Sequence, residues 1–118
     1  MASAEPIVEA VYRKLGGRRI LGREVMSEAD LAQVVEARIP EQAVAAVQGT
    51  SFSHPEIEQL VIPARTRRYR REHKQPLTVD ESDRLVRLAR IQALAEDVFG
   101  DTGKANKWLR QGLNVLSG

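Results

Sequence analysis

The stretch TVDESDRLVRLARIQALAEDVF, from Thr78 to Phe99, decides the fold of this 118-residue chain. Thr78 and Glu81 stand at capping-box spacing, in which each side chain accepts a hydrogen bond from a free amide at the helix start. Gly100 follows the last apolar residue and is a natural helix end. Apolar residues cover well over half of the circumference. We therefore predict a long central helix, covered by its own chain on one side and by a second copy or a partner on another.

Composition excludes several classes of function. The chain has no cysteine, which rules out disulfides, cysteine nucleophiles and thiolate metal sites. No apolar run is long enough to span a bilayer, and the amino terminus lacks the apolar region of a signal peptide. The sequence therefore predicts a cytoplasmic protein without membrane contact. The formal net charge is only +2, so its uneven distribution along the chain carries more information than its size.

Helical spacing and capping residues predict short helices on both sides of the central one. They cover residues 5–15, 27–38, 41–47, 53–61, 64–74 and 102–111. Residues 18–24 are predicted to form a connector and residues 112–118 a loose tail. No stretch indicates a strand, so the predicted fold class is all-α: a helix-turn-helix-like bundle of short helices, the long central helix and a short carboxy-terminal helix. We assign residues 1–76 to the first region and residues 77–118 to a second, partial domain.

The strongest functional signal is a cluster of basic residues before the central helix. Six of the eighteen lysines and arginines fall within ten positions, and Glu72 is the one acidic residue among them. Such a cluster favours a phosphate backbone as partner, although a solvated basic face is the simpler alternative. A short helix and a turn precede it, as in a helix-turn-helix whose second helix enters the major groove. The predicted DNA-binding residues are Arg65, Thr66, Arg67, Arg68, Arg70, Arg71 and Lys74. Helical spacing places four of them on one face: Arg67, Arg70, Arg71 and Lys74.

Other possible sites have weaker support. Residues 100–104, GDTGK, have the wrong glycine spacing for a phosphate-binding loop. His54 and His73 have no second ligand at a metal spacing. No nucleophile, base and orienting group stand together, so we predict no enzyme, cofactor or metal. Trp108 is either core filler or an anchor for a partner.

The segment from Leu77 to Arg110 resembles the Xre/MbcA/ParS-type antitoxins. The shared motifs are Glu-Ser-Asp-Arg-Leu at 81–85, Leu-Ala-Arg at 88–90, Val-Phe-Gly-Asp at 98–101, Lys-Ala at 104–105 and Trp-Leu at 108–109. Upstream, LVIPARTRRYRRE (60–72) is similar to the helix-turn-helix of that family, which often has Ile-Pro-x-Arg-Thr before a basic run.

The resemblance implies the antitoxin of a type II toxin–antitoxin pair, whose partner is a RES-domain toxin that consumes NAD. Such an antitoxin dimerises, binds its operator DNA, represses transcription and blocks the toxin through its carboxy-terminal domain. The residues expected to contact the second copy or the toxin are Leu85, Leu88, Ile91, Leu94, Val98, Phe99, Trp108 and Leu109. The alternative function is a helix-bundle protein-interaction module that does not bind DNA.

The chain departs from the family pattern at two places. Family members usually have an apolar residue after the threonine of the basic helix, whereas this chain has Arg67, which we expect to add positive charge rather than core. The family also continues past Trp-Leu into a further helix. This chain ends at Gly118, so that helix is expected to be missing.

Overall fold

The computed structural model describes residues 6–117, with side chains described as far as residue 112. This part of the chain forms eight helices and no strand, which confirms the predicted all-α class. The helices are α1 (Ile7–Lys14), α2 (Gly17–Leu21), α3 (Glu28–Glu36), α4 (Gln42–Gln48), α5 (His54–Leu60), α6 (Ala64–Glu72), α7 (Val79–Phe99) and α8 (Thr102–Ser117). No helix in this range is long and apolar enough to cross a membrane.

Helix α7 begins and ends as its sequence predicts. The Glu81 amide donates to the Thr78 hydroxyl at 3.1 Å, and the Thr78 amide donates to the Glu81 carboxylate at 2.8 Å. Gly100 ends the helix in the left-handed conformation, with φ at 65°. Helices α1, α3, α4, α5 and α8 all pack against α7. The chain therefore covers most of its central helix by itself, which reduces the surface left for a partner.

Three hydrogen bonds fasten the α3–α4 connection to the start of α7. The buried Ser82 hydroxyl accepts from the Ile39 amide at 2.9 Å, and the Ile39 carbonyl accepts from the Leu77 amide at 2.9 Å. The Arg38 guanidinium donates to the Leu77 carbonyl at 2.9 Å. Because buried polar groups are costly to leave unpaired, these bonds fix where α4 begins relative to α7.

Two predicted boundaries are wrong. The predicted connector at 18–24 contains helix α2, which lies between Gly16 and Gly22, both at positive φ. The tail predicted to be loose is helical through Ser117, because one glycine inside a helix costs only about 1 kcal/mol and does not by itself end it. Residue 5, where the first helix was predicted to begin, and Gly118 lie outside the described residues.

Candidate nucleic-acid interface

Helices α5 and α6 and the turn between them form the predicted helix-turn-helix. Ser53 and Glu56 make a complete capping box at the start of α5. Val61 and Ile62, in the turn, are buried in the core, and the Ile62 amide donates to the Ile57 carbonyl at 3.1 Å. The turn is therefore anchored by apolar burial as well as by hydrogen bonds.

Two charged side chains also hold the turn in place. The Arg84 guanidinium, on α7, donates to the Val61 carbonyl at 3.0 Å. The Glu58 carboxylate accepts from the Ala64 amide at 3.0 Å, at the first residue of α6. A carboxylate at a helix start also interacts favourably with the helix dipole. Arg84 thus links α7 to the turn of the helix-turn-helix.

Part of the predicted DNA-binding face points into the protein. The Arg67 guanidinium donates to the Glu41 carboxylate at 2.6 Å, and Arg71 donates to both oxygens of the same carboxylate at 3.3 and 3.4 Å. The side chain of Arg67 is only 14% exposed. Arg67 was expected to add positive charge rather than core, and the structure places that charge in a largely buried ion pair. It lies against the bundle, where Glu41, at the start of α4, compensates its charge.

Arg70 makes the equivalent contact with α7. Its guanidinium donates to both oxygens of the Glu81 carboxylate at 3.4 and 3.3 Å, and its side chain is 17% exposed. Glu81 is thus both the capping residue of α7 and the partner of α6. Glu72 is the one acidic residue within the basic cluster, but the fold adds Glu41 and Glu81, which are distant in sequence and close in space.

The two buried carboxyls are held ionised by these arginines. Burial by itself raises the pKa of Glu41, but hydrogen bonds and charge from Arg67 and Arg71 outweigh it, so the pKa of Glu41 lies below its ordinary value. Burial likewise raises the pKa of Glu81, and hydrogen bonds from the Thr78 amide and from Arg70 reverse the effect. Both contacts are therefore ion pairs near neutral pH.

A different face of α6 remains open to solvent. Arg65, Arg68 and Tyr69 are exposed there, and the Tyr69 ring stacks on His73 at a centroid distance of 4.0 Å. Arg71 keeps 60% of its side chain exposed despite its contact with Glu41. Of the other predicted DNA-binding residues, Thr66 is half-buried and Lys74 is exposed just past the end of the helix. The cations available to a ligand are thus Arg65, Arg68, Arg71 and Lys74.

The residues predicted for a second copy or a toxin divide into two groups. Leu85, Leu88 and Leu109 are at most 4% exposed and belong to the chain's own core, so placing them on an interaction surface is wrong. The other five are exposed large apolar residues: Ile91 (42%), Leu94 (44%), Val98 (76%), Phe99 (38%) and Trp108 (50%). The Phe99 and Trp108 rings are in contact, with centroids 6.0 Å apart. We call these five residues the apolar face.

Helix α8 is tied to the helix-turn-helix by an arginine that the sequence did not indicate. Arg110 forms an ion pair with Glu56 of the α5 capping box and donates to the Ser51 carbonyl at 2.5 Å. Its guanidinium also lies 5.7 Å from the Phe52 ring centroid. No local pattern could have revealed this contact, because 54 residues separate Arg110 from Glu56.

No metal site is evident in the described part of the chain, where no three histidine or acidic side chains form a cluster that could hold an ion. His54 is close to the Gln48 side chain at 3.2 Å, and His73 hydrogen-bonds with the Tyr69 carbonyl at 2.9 Å. Both histidines thus have ordinary structural contacts.

The bundle of short helices, the anchored turn and the basic second helix define a helix-turn-helix protein. Residues 30–90, slightly more than half of the chain, match the family model described as the antitoxin Xre-like helix-turn-helix domain, and the chain belongs to this family. It is 57% identical over 58 residues to a protein named antitoxin Xre from Pseudomonas putida. That alignment covers 49% of this chain and 36% of the relative, so the chain matches about a third of the relative's length.

Proposed function

We propose that this antitoxin binds operator DNA through α6, represses its own transcription and neutralises a toxin partner. The observation that supports DNA binding is the outward face of α6, where Arg65 and Arg68 are exposed. The turn before this helix is held by the Arg84–Val61 and Glu58–Ala64 hydrogen bonds. Arginine is the side chain that most often contacts guanine in the major groove. In this proposal Arg71 and Lys74 contact phosphates, whereas Arg67 and Arg70 position the helix.

The test is a fluorescence-anisotropy titration with a labelled duplex taken from upstream of the gene. Arg65→Ala and Arg68→Ala should each weaken binding by roughly 5–150-fold, because a specific guanine contact contributes about 1–3 kcal/mol. Arg18→Ala is the matched control, since Arg18 is an exposed arginine on α2 that forms an ion pair with Glu24 and lies outside α6. Equal affinities for all three variants would contradict the assignment of α6.

A salt series gives a second, independent measure. The two proposed phosphate contacts, from Arg71 and Lys74, predict a log–log slope of about −1.8 for one copy of the chain, from about 0.9 per neutralised phosphate. A slope near −3.6 would mean that Arg67 and Arg70 leave their carboxylates and also reach phosphates, at about 0.9 each. Absence of binding even at low salt would favour the alternative function, an interaction module without DNA binding.

The proposed toxin is a RES-domain enzyme that consumes NAD, as the sequence resemblance implies. We assign DNA binding to residues 1–76, and pairing and toxin contact to residues 77–118, where the apolar face lies. Co-expression with a RES-domain toxin encoded next to the gene tests this part. We expect the two chains to co-purify and the loss of NAD from the cells to stop. NAD loss that continues despite a folded antitoxin would contradict neutralisation by this chain.

A further inference from the structure

Tyr69 is an uncharged residue on the outward face of α6, among the arginines that the proposed function assigns to DNA. It lies one helical turn after Arg65 and directly after Arg68, and it is 49% exposed. Glu72 follows one turn later and is also exposed. Because arginines recognise guanine, an aromatic ring at the centre of this face adds a contact of another kind.

The ring of Tyr69 is held in one orientation by its neighbour on the next turn. The His73 ring stacks on it, with centroids 4.0 Å apart and ring planes inclined by 24°. The His73 Nδ1 donates to the Tyr69 carbonyl at 2.9 Å, which fixes the imidazole relative to the backbone of α6. His73 therefore covers one face of the Tyr69 ring and leaves the rest open to solvent. A side chain that is already ordered loses little entropy when it binds.

We propose that the open side of the Tyr69 ring contacts the C5-methyl group of a thymine in the major groove, with His73 as the positioning residue. This proposal rests on the proposed function and specifies a base that α6 recognises besides guanine. Thymine is the one base with a methyl group in the major groove, and apolar side chains are its usual partners. For a helix that lies along the groove, Arg65 and Tyr69 are about 6 Å apart, so the thymine lies about two base-pair steps from the guanine of Arg65.

The charge of Glu72 favours a base over a phosphate as the partner of Tyr69. Glu72 is three residues after Tyr69 on the same face, at a Cβ–Cβ distance of about 5–6 Å in a regular helix. A phosphate oxygen at the Tyr69 hydroxyl would lie near this carboxylate, and juxtaposed like charges are unfavourable. The methyl group of thymine is uncharged and meets no such repulsion.

The first test uses the full chain and the duplex from upstream of the gene, with every thymine replaced by deoxyuracil, which lacks only the methyl group. Anisotropy titrations should show binding weaker by about fourfold, which corresponds to about 0.8 kcal/mol for one apolar carbon removed from water. Replacing the thymines one at a time should assign this loss to a single position. Replacing guanines by 7-deazaguanine, which lacks the N7 acceptor, locates the guanine of Arg65, because Arg65→Ala is insensitive to that replacement.

Substitutions at Tyr69 and His73 identify the side chain that reads the methyl group. Tyr69→Ala should bind the thymine and deoxyuracil duplexes equally, whereas Tyr69→Phe should keep the fourfold difference. His73→Ala should reduce the difference, and His73→Phe, which keeps a stacking ring, should retain it. Met26→Ala is the control, because Met26 is 84% exposed and lies outside α6.

Equal affinity of the native chain for the two duplexes would overturn the proposal, and so would a Tyr69→Ala protein that still distinguishes them. A Tyr69→Phe protein that binds both duplexes more weakly by the same factor would indicate a hydroxyl contact with a phosphate and would also overturn it. The two proposals fail differently. Losses for Arg65→Ala and Arg68→Ala without any effect of deoxyuracil would refute the thymine contact alone, whereas absence of binding to every duplex would refute both.

Discussion

Replacing Glu41 by glutamine tests whether the inward arginines hold α6 in place. Glu41 is 6% exposed and Arg67 is 14% exposed on its side chain, so the substitution leaves a largely buried guanidinium without a compensating charge. Loss of one partner from a buried pair costs about 3–5 kcal/mol. The contact with Arg71 adds little, because that side chain is 60% exposed.

Glutamine keeps the shape of the side chain and one acceptor for Arg67, so the expected loss lies below that range. We expect the free energy of unfolding to fall by about 2 kcal/mol, which for a chain of this size lowers the melting temperature by roughly 6–10 °C. Urea and thermal unfolding followed by circular dichroism measure both quantities. Glu36→Gln, at an exposed position on α3, is the matched control and should change stability by less than about 0.5 kcal/mol.

A double-mutant cycle identifies the source of the loss. Arg67→Gln should destabilise the native protein but should cost about 1–2 kcal/mol less when Glu41→Gln is already present, since the charge then has no partner to lose. Strict additivity of the two substitutions would refute the argument that they act through one ion pair. A Glu41→Gln protein with the same free energy of unfolding and melting temperature as the Glu36→Gln control would refute it as well.

Three further substitutions or conditions give measurable outcomes. Lys74 has φ at 52°, so Lys74→Gly should raise stability by about 0.5–1 kcal/mol relative to Lys74→Ala in urea unfolding, because glycine alone adopts this conformation without strain. Arg110→Ala should destabilise the protein by about 1–3 kcal/mol in the same assay, since it leaves Glu56 and a carbonyl without their charged donor. Acid should also destabilise the fold. The pKa values of Glu41, Glu56 and Glu81 are lowered in the folded state, so their stabilisation is complete above the unfolded value of about 4.3 and is lost as the pH falls through the folded values. A melting temperature that stays constant from pH 5 to pH 3 would contradict this.

The helix boundaries were predictable wherever the signal is local. The capping box at Thr78, the helix start at Ser53 and the stop at Gly100 depend on residues at most three positions apart, and the structure confirms all three. Helix α2 was missed because its five residues carry no side-chain cap, and its limits are set by glycines at both ends.

The division of α7 into core and surface was not predictable in the same way. Leu85 and Leu94 are both leucines on one amphipathic helix, yet one is fully buried and the other is 44% exposed. Which one is covered depends on where α1, α3 and α8 pack, and periodicity within α7 contains no information about them. The sequence could therefore predict that α7 is covered on several sides but not which leucines remain for a partner.

The sequence also could not predict which arginines of α6 are available to DNA. Counting cations along a sequence treats every arginine of α6 as available to DNA, whereas the structure uses Arg67 and Arg70 to join α6 to α4 and α7. An arginine in a buried pair must leave its carboxylate before it can neutralise a phosphate and release a counterion. Breaking the buried pair costs more free energy than a surface contact with the phosphate provides. In the proposed function, the inward arginines therefore contribute rigidity and the outward ones contribute affinity. Because one helix would do both, we predict that a charge-reversing substitution at Glu41 or Glu81 alters DNA binding although neither residue contacts the DNA.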